Sequence, residues 1–336
     1  MALRTANSIQ PGPAWGQPPS VQATEGERAA DSSATEKARR ERQRALILPR
    51  EHGAWGLLLV PLVTGAGVAF HSIWVLHACP EPCRGVSPPL RDAGITDLHI
   101  IPFLLLLAAA LALFWLRTPA ESLLGTSAMR AQTSDERRAV LIVIAGLAAI
   151  AALALGTLLW AGRNLSLWLI GAAAAAAFIA QALLKKSGRR TRMLSEIVGT
   201  VGLTSWAPAA YYVITGRLGG TAWMLWLANL IFAGNQIHYV QLRIHTARTE
   251  GLRAKFARGW TFAAGQGVMV GVLCLACVRG LMPWLALIAF VPILFRGWFY
   301  FFQKPGPLVV RRLGWSELGQ AVGFCGLFIA GFAFSR

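Results

Sequence analysis

The sequence predicts an all-α, polytopic membrane protein: nine transmembrane helices preceded by a polar tail. Three observations predict it. The 336 residues are 55% hydrophobic and only 14% charged, whereas a soluble domain is about a quarter charged. Apolar stretches of about 20 residues, enough to cross roughly 30 Å of hydrocarbon as helix, recur along the chain. Lys and Arg gather in every second connection between those stretches, the positive-inside pattern. Backbone groups in lipid must be bonded within their own segment, so the spans are helices.

Residues 1–45 are of a different kind. MALRTANSIQPGPAWGQPPSVQATEGERAADSSATEK is rich in Pro, Ser, Gln and Glu and predicts a disordered tail that cannot bury enough apolar area to fold alone. No apolar core follows a short basic start, so it does not read as a signal peptide. ATEKARRERQRAL suits a short helix leading into the membrane. Residues 46–336 form the transmembrane domain, with spans expected at 53–76, 99–117, 139–161, 165–184, 193–214, 221–240, 260–278, 281–302 and 315–334. The boundary between the seventh and eighth turns on Arg279-Gly280.

Arg117 and Arg296 are counted with the connections they adjoin. The stretch from Lys37 to Arg50 then holds six Lys and Arg, the connections 2, 4, 1, 5, 1, 5, 1 and 4, and the C-terminus one. The N-terminus and the connections after spans two, four, six and eight are therefore expected in the cytoplasm, and the C-terminus outside.

Several function classes are excluded. The net charge of +17 does not signal nucleic acid, because the basic residues are scattered between apolar stretches rather than gathered on one soluble domain. There is no Walker loop, nucleophile elbow or dinucleotide fingerprint, and the glycines are spread through spans, where they serve close helix packing. Five cysteines form no regular framework. Cys79 and Cys83 lie beyond the outer end of span one in HSIWVLHACPEPC, where a disulfide is an open question. Nothing nearby completes a metal ligand set with His71 and His77. Cys274 and Cys277 share a helix face as apolar filler.

Polar residues at membrane depth are costly and are functional candidates by default. Here they collect at the cytoplasmic mouth. PREHGAW opens span one: Arg50 anchors the helix at the anionic leaflet, whereas Glu51 gains from the positive end of the helix dipole. Glu196 and Glu317 begin spans five and nine in the same way. Span two ends in Arg117, followed by Glu121. Span four runs out through Gln181 into Lys185, Lys186, Arg189, Arg190 and Arg192. Span six closes with NQIHYVQLRIH, placing Asn235, His238 and His245 on one helical face and Gln236, Tyr239 and Arg243 on the next. Taken singly, an interfacial histidine is solvated and a basic cluster sets topology; span six carries more polarity than anchoring requires.

PREHGAW before GLLLVPLV resembles the opening signature of the YwiC-like family of bacterial integral membrane proteins, over residues 49–63. The resemblance continues through the basic junction after span four and through HYVQLRI. It implies a multi-pass protein of the bacterial cytoplasmic (inner) membrane and brings no established activity. The nine-helix plan, with polar constellations after spans two and six, is similar to the UbiA superfamily of intramembrane prenyltransferases. There, aspartate-rich motifs at those two places hold magnesium against a prenyl diphosphate. This chain has RTPAESLLG at the first, with Glu121 its only acid, and NQIHYVQLRIHTARTE at the second, with no acid before Glu250. Magnesium wants an oxygen-rich shell, so no cofactor is expected. Cations and imidazoles can hold an anionic head directly.

The leading expectation is a cytoplasmic-facing cavity for an amphiphile with an anionic head, such as a prenyl or quinone-type lipid. Arg117, Lys185, Lys186, Arg190 and Arg243 would hold the head, with Asn235, Tyr239 and His245 on the rim. His52 or His238 would act as acid or base if the protein is a transferase, oriented by Glu51 and Glu196. One alternative is a solute or ion transporter, for which Asn229, Gln266 and Gln320 are mid-span candidates, although no acid or base stands at a span centre. Another is an accessory subunit of a membrane complex, with its protein partners open.

The charge alternation carries its own test. In a cysteine-free background, Lys186→Cys and Arg253→Cys are expected to react with an impermeant thiol reagent only from the cytoplasmic side, and Arg217→Cys only from outside. Lys186→Cys and Arg217→Cys labelled from one side would overturn the alternation.

Overall fold

The computed structural model describes residues 25–48, 52–78, 97–125, 129–162, 165–187, 191–307 and 309–335. The chain divides into two compact units, Met1–Arg44 and Ala45–Arg336. In the first, the helix expected for ATEKARRERQRAL begins earlier, at Glu25, and forms most of α1 (Glu25–Ile47). Its Ala, Glu, Arg and Lys residues are strong helix formers, and Arg40 bonds Glu36 one turn away at 2.5 Å. Residues 1–24 of the tail lie outside the described residues, as do Cys79 and Cys83 with their disulfide.

In the second unit the described regular structure is helical throughout. It comprises α2 (His52–Ala78), α3 (Asp97–Leu124), α4 (Ser134–Trp160), α5 (Leu165–Lys186), α6 (Arg192–Thr204), α7 (Trp206–Thr215), α8 (Gly220–Thr246), α9 (Leu252–Val278), a 3-10 segment (Trp284–Phe290), α10 (Val291–Phe302) and α11 (Val310–Ala333). Every expected span falls on one of these, the fifth on α6 plus α7 and the eighth on the 3-10 segment plus α10. Among the described residues eight segments are long and apolar enough to cross a membrane. α8 is 27 residues long, but its polar C-terminal half keeps it out of that set. α4, α9 and α11 start a turn or more before their apolar stretches because polar first turns are still helical, and α3 and α8 run on past the ends of theirs. In α4 this is secured by a capping box between Thr133 and Glu136.

Both breaks follow from proline. Pro208 offers no N–H to the Thr204 carbonyl and its ring crowds that turn, so the chain bends at Ser205, whose hydroxyl donates to the Gly202 carbonyl at 2.6 Å. Pro292 likewise cannot donate to Ile288, and the residues before it run as 3-10 helix.

α2 is the shared wall. Leu58, Leu62, Ala66, Ala69 and Ile73 face a core completed by α3, α4, α5 and α7. Val60 and Val68 face a second core built around Phe232, Phe290, Phe324 and Phe328. A Cβ on Gly65 would stand 2.2 Å from the Ala207 carbonyl oxygen, so α2 and α7 touch backbone to backbone. At the preceding residue of the same helix, Thr64 (0% exposed) and Asn229 of α8 (1% exposed) pair. The Asn229 amide donates to Thr64 Oγ1 at 2.9 Å and to the Leu225 carbonyl at 2.8 Å. The outer helices are apolar outside as well as inside: Ile142, Leu153 and Trp160 on α4 and Leu169, Ile179 and Leu183 on α5 are exposed. Such faces are stable against hydrocarbon, not water.

Gly65→Ala must push α2 from α7, since backbone has no rotamer with which to yield. Unfolding in mixed micelles is expected to show a loss of about 1–3 kcal/mol. An unchanged midpoint would mean the approach is looser than described.

Candidate functional site

α3 packs on α4, and α5 packs on α6. Between these pairs lies a cavity of about 890 Å³, within the ~300–1,000 Å³ of small-molecule pockets. Its walls are Leu113, Phe114, Leu155, Phe178 and Trp206, faced by Ala172, Ala174 and Ala175. The alanine run of α5 makes the space, since small side chains opposite large ones leave volume that nothing fills. Gly199 has a related part: a Cβ there would meet the Gln181 side-chain amide at 2.2 Å, so its absence lets Gln181 line the chamber.

The charged lining groups are Arg117, Glu121, Lys185 and Lys186, at the C-terminal ends of α3 and α5. Glu121 accepts from Arg117 Nε at 3.1 Å and from Lys185 Nζ at 2.8 Å, tying α3 to α5. These side chains are 25–35% exposed, and ion pairs in such settings contribute about 0–1 kcal/mol. A competing anion can therefore displace the carboxylate at small cost.

The expected constellation divides into two groups. Of the remaining mouth residues, Asn235, His238, Tyr239, Arg243 and His245 belong to α8, and none of these five lines the cavity. Asn235 is buried, its amide 3.7 Å from Met269 Sδ, with its Oδ1 unpartnered among the described residues. The His238 ring stands edge-on to Phe262 at 5.4 Å. Tyr239 is buried beneath the Arg296 guanidinium, 4.0 Å above its ring. Arg243 lies over the Tyr300 ring at 4.9 Å. His245 is exposed, Nδ1 2.7 Å from the Gln241 carbonyl. Glu196 sits in α6, and its backbone oxygen accepts from Thr200. His52 is placed as the first residue of α2. Glu51 and Arg190 lie outside the described residues.

One pair escaped the sequence reading. Arg296, counted there with a connection, is inside α10, and Glu317, assigned to a first turn, is about two turns into α11, about 10 Å along its axis. They form an ion pair of 2.6 Å with side chains only 12% and 16% exposed. Gln236 donates to the Glu317 backbone oxygen at 3.1 Å. Both charges therefore stand inside helices, each toward one end of its span rather than at its centre. α11 starts at Val310 because VRRLGWSE continues the helix, which moves Glu317 inward. FRGWF and WSELGQ, opposite charges within two apolar stretches, were the signal that could have found the pair.

Helices with lipid-compatible outer faces, an internal ion pair and cations at helix ends define a multi-pass α-helical membrane protein. Residues 48–211 match the family model described as YwiC-like protein, the stretch that contains both the PREHGAW landmark and the cavity. No curated protein and no solved structure gave a significant match.

Removing one partner of a buried pair leaves an uncompensated charge. Glu317→Gln is expected to lower unfolding free energy by about 3–5 kcal/mol. Arg296→Met combined with Glu317→Leu should lose less than that single change. A single variant within experimental error of the parent would show the pair to be solvated.

Proposed function

We propose that the protein binds an amphiphile with an anionic head in the cavity between α3, α4, α5 and α6. The single observation that carries this reading is an apolar chamber whose charged groups all lie at one end. Three cations, Arg117, Lys185 and Lys186, face one carboxylate, Glu121, which leaves a formal excess of two positive charges for the head. The apolar walls suit a prenyl or quinone-type tail. The mouth faces the cytoplasm of a bacterium, at its inner membrane, and the arrangement is UbiA-like with the metal replaced by direct cation contact. Among the described residues Glu121 is the one carboxylate in the lining and already engages two cations, which is a poor footing for the carboxylate shell of magnesium. No catalytic step is assigned, since His238 lies off the cavity and His52 is placed only by its backbone.

A transporter is the second reading, favoured by the Arg296–Glu317 pair inside two apolar helices. Flux in proteoliposomes that vanishes with the Glu317→Gln change would promote it.

Native mass spectrometry of the purified chain, with identification of the lipid it retains, tests the first reading. A stoichiometric anionic amphiphile is expected, and Arg117→Gln with Lys185→Gln should cut its retention by about tenfold or more, ~1.4 kcal/mol. Bulk phospholipid alone, retained equally by both proteins, would overturn the proposal.

A further inference from the structure

A second group of cations stands apart from the cavity, at the ends of α8, α9 and α10. Arg243 is in the last turn of α8, Lys255 in the first turn of α9 and Tyr300 in the last turn of α10. Both cations lie against the Tyr300 ring, Arg243 at 4.9 Å and Lys255 at 5.1 Å from its centroid. The ring is fixed as their platform by the 2.8 Å bond between its hydroxyl and Thr246 Oγ1. Lys255 is only 2% exposed, and its ammonium donates to the Gln303 carbonyl at 2.5 Å.

The local charge does not balance. Glu317 is bonded to Arg296 at 2.6 Å and senses Arg243 only at longer range, and neither Arg243 nor Lys255 forms a direct ion pair with a carboxylate among the described residues. Arg243 Nε is buried and unpartnered among the described residues. From Arg243 to Arg312 the sequence holds one acid, Glu250. Arg253, Arg258 and Lys304 are exposed on the same face, since the Gly306 amide bonds the Ala247 carbonyl at 3.1 Å and joins the connections after α10 and α8. Two cations against one aromatic ring, Lys255 buried and Arg243 half-buried, repel each other, and an anion shared between them relieves that.

We infer that Arg243 and Lys255, mounted on Tyr300, form a second site, which takes the phosphate of an anionic bilayer phospholipid. Helix ends lie at the level of lipid headgroups, tyrosine belongs to that interface, and basic pockets between helices on the cytoplasmic side bind such headgroups. The arginine supplies directed N–H donors and the lysine a point charge. The site shares no residue with the cavity and stands or falls separately from it.

The test uses the full chain in mild detergent with three probes: phosphatidylglycerol, phosphatidylcholine and inorganic phosphate. Phosphatidylglycerol is expected to raise Tm and to persist as a one-to-one adduct in native mass spectrometry, while phosphatidylcholine does neither. Arg243→Gln should reduce that adduct by about tenfold or more and leave the cavity lipid in place. Arg117→Gln should leave the adduct unchanged. Arg243→Lys keeps the charge without the fork and should restore part of it, which guards against a variant that merely misfolds. Equal stabilisation by phosphatidylcholine would overturn the inference. So would a Tm rise with inorganic phosphate that matches phosphatidylglycerol, since the occupant would then be a soluble anion.

Discussion

The backbone contact between Gly65 of α2 and Ala207 of α7 sets the spacing on which the other helices depend. With lipid outside, apolar burial gives helices little preference for one another over the bilayer, so close van der Waals approach and interhelical hydrogen bonds must hold them. α2 supplies both within one turn: Gly65 brings the backbones together, and Thr64 pairs with Asn229 where neither group has another solvent. From that junction one face of α2 serves the core with α3, α4 and α5, and the opposite face the phenylalanine-rich core with α8, α10 and α11.

The two halves handle polarity differently. Around the cavity the charges are at the rim, partly wet and exchangeable. In the other half they stack on aromatic rings, with Arg296 on Tyr239 and Arg243 on Tyr300. A cation over an aromatic face contributes about 0.5–1 kcal/mol at exposed sites and ~2 when desolvated. The tyrosines therefore matter more to the second half than any salt bridge matters to the first. The rim suits exchange of a ligand, and the aromatic platforms hold their cations in fixed positions.

Helix identity and order were legible because hydrophobic length is a direct demand of the bilayer, and each apolar run from 53–76 to 315–334 lies on a helix. Arg117, Glu121 and Lys185 were legible as neighbours because each follows the end of an apolar run at one face. Their separation from Asn235, Tyr239 and Arg243 was not legible, since helix packing in three dimensions is absent from a one-dimensional alternation. The Arg296–Glu317 pair was lost for a more specific reason. An averaged hydropathy places a lone charge in the nearest loop, whereas the chain keeps it in the helix once an opposite charge on a neighbour accepts it. The cavity was invisible for the opposite reason, because the alanines of α5 that create it look like ordinary membrane filler.

α4 packs chiefly on α3 and leaves most of its length to the lipid. That wall is a panel fastened along one edge, whereas α3 behind it is held to α7, with the His99 ring 2.8 Å from the Ile214 carbonyl. Glu121, bonded to Lys185 across the gap, ties α3 to α5 as well. The chamber's outer wall is thus one helix thick, formed where α4 lines it with Leu155, Gly156 and Leu159.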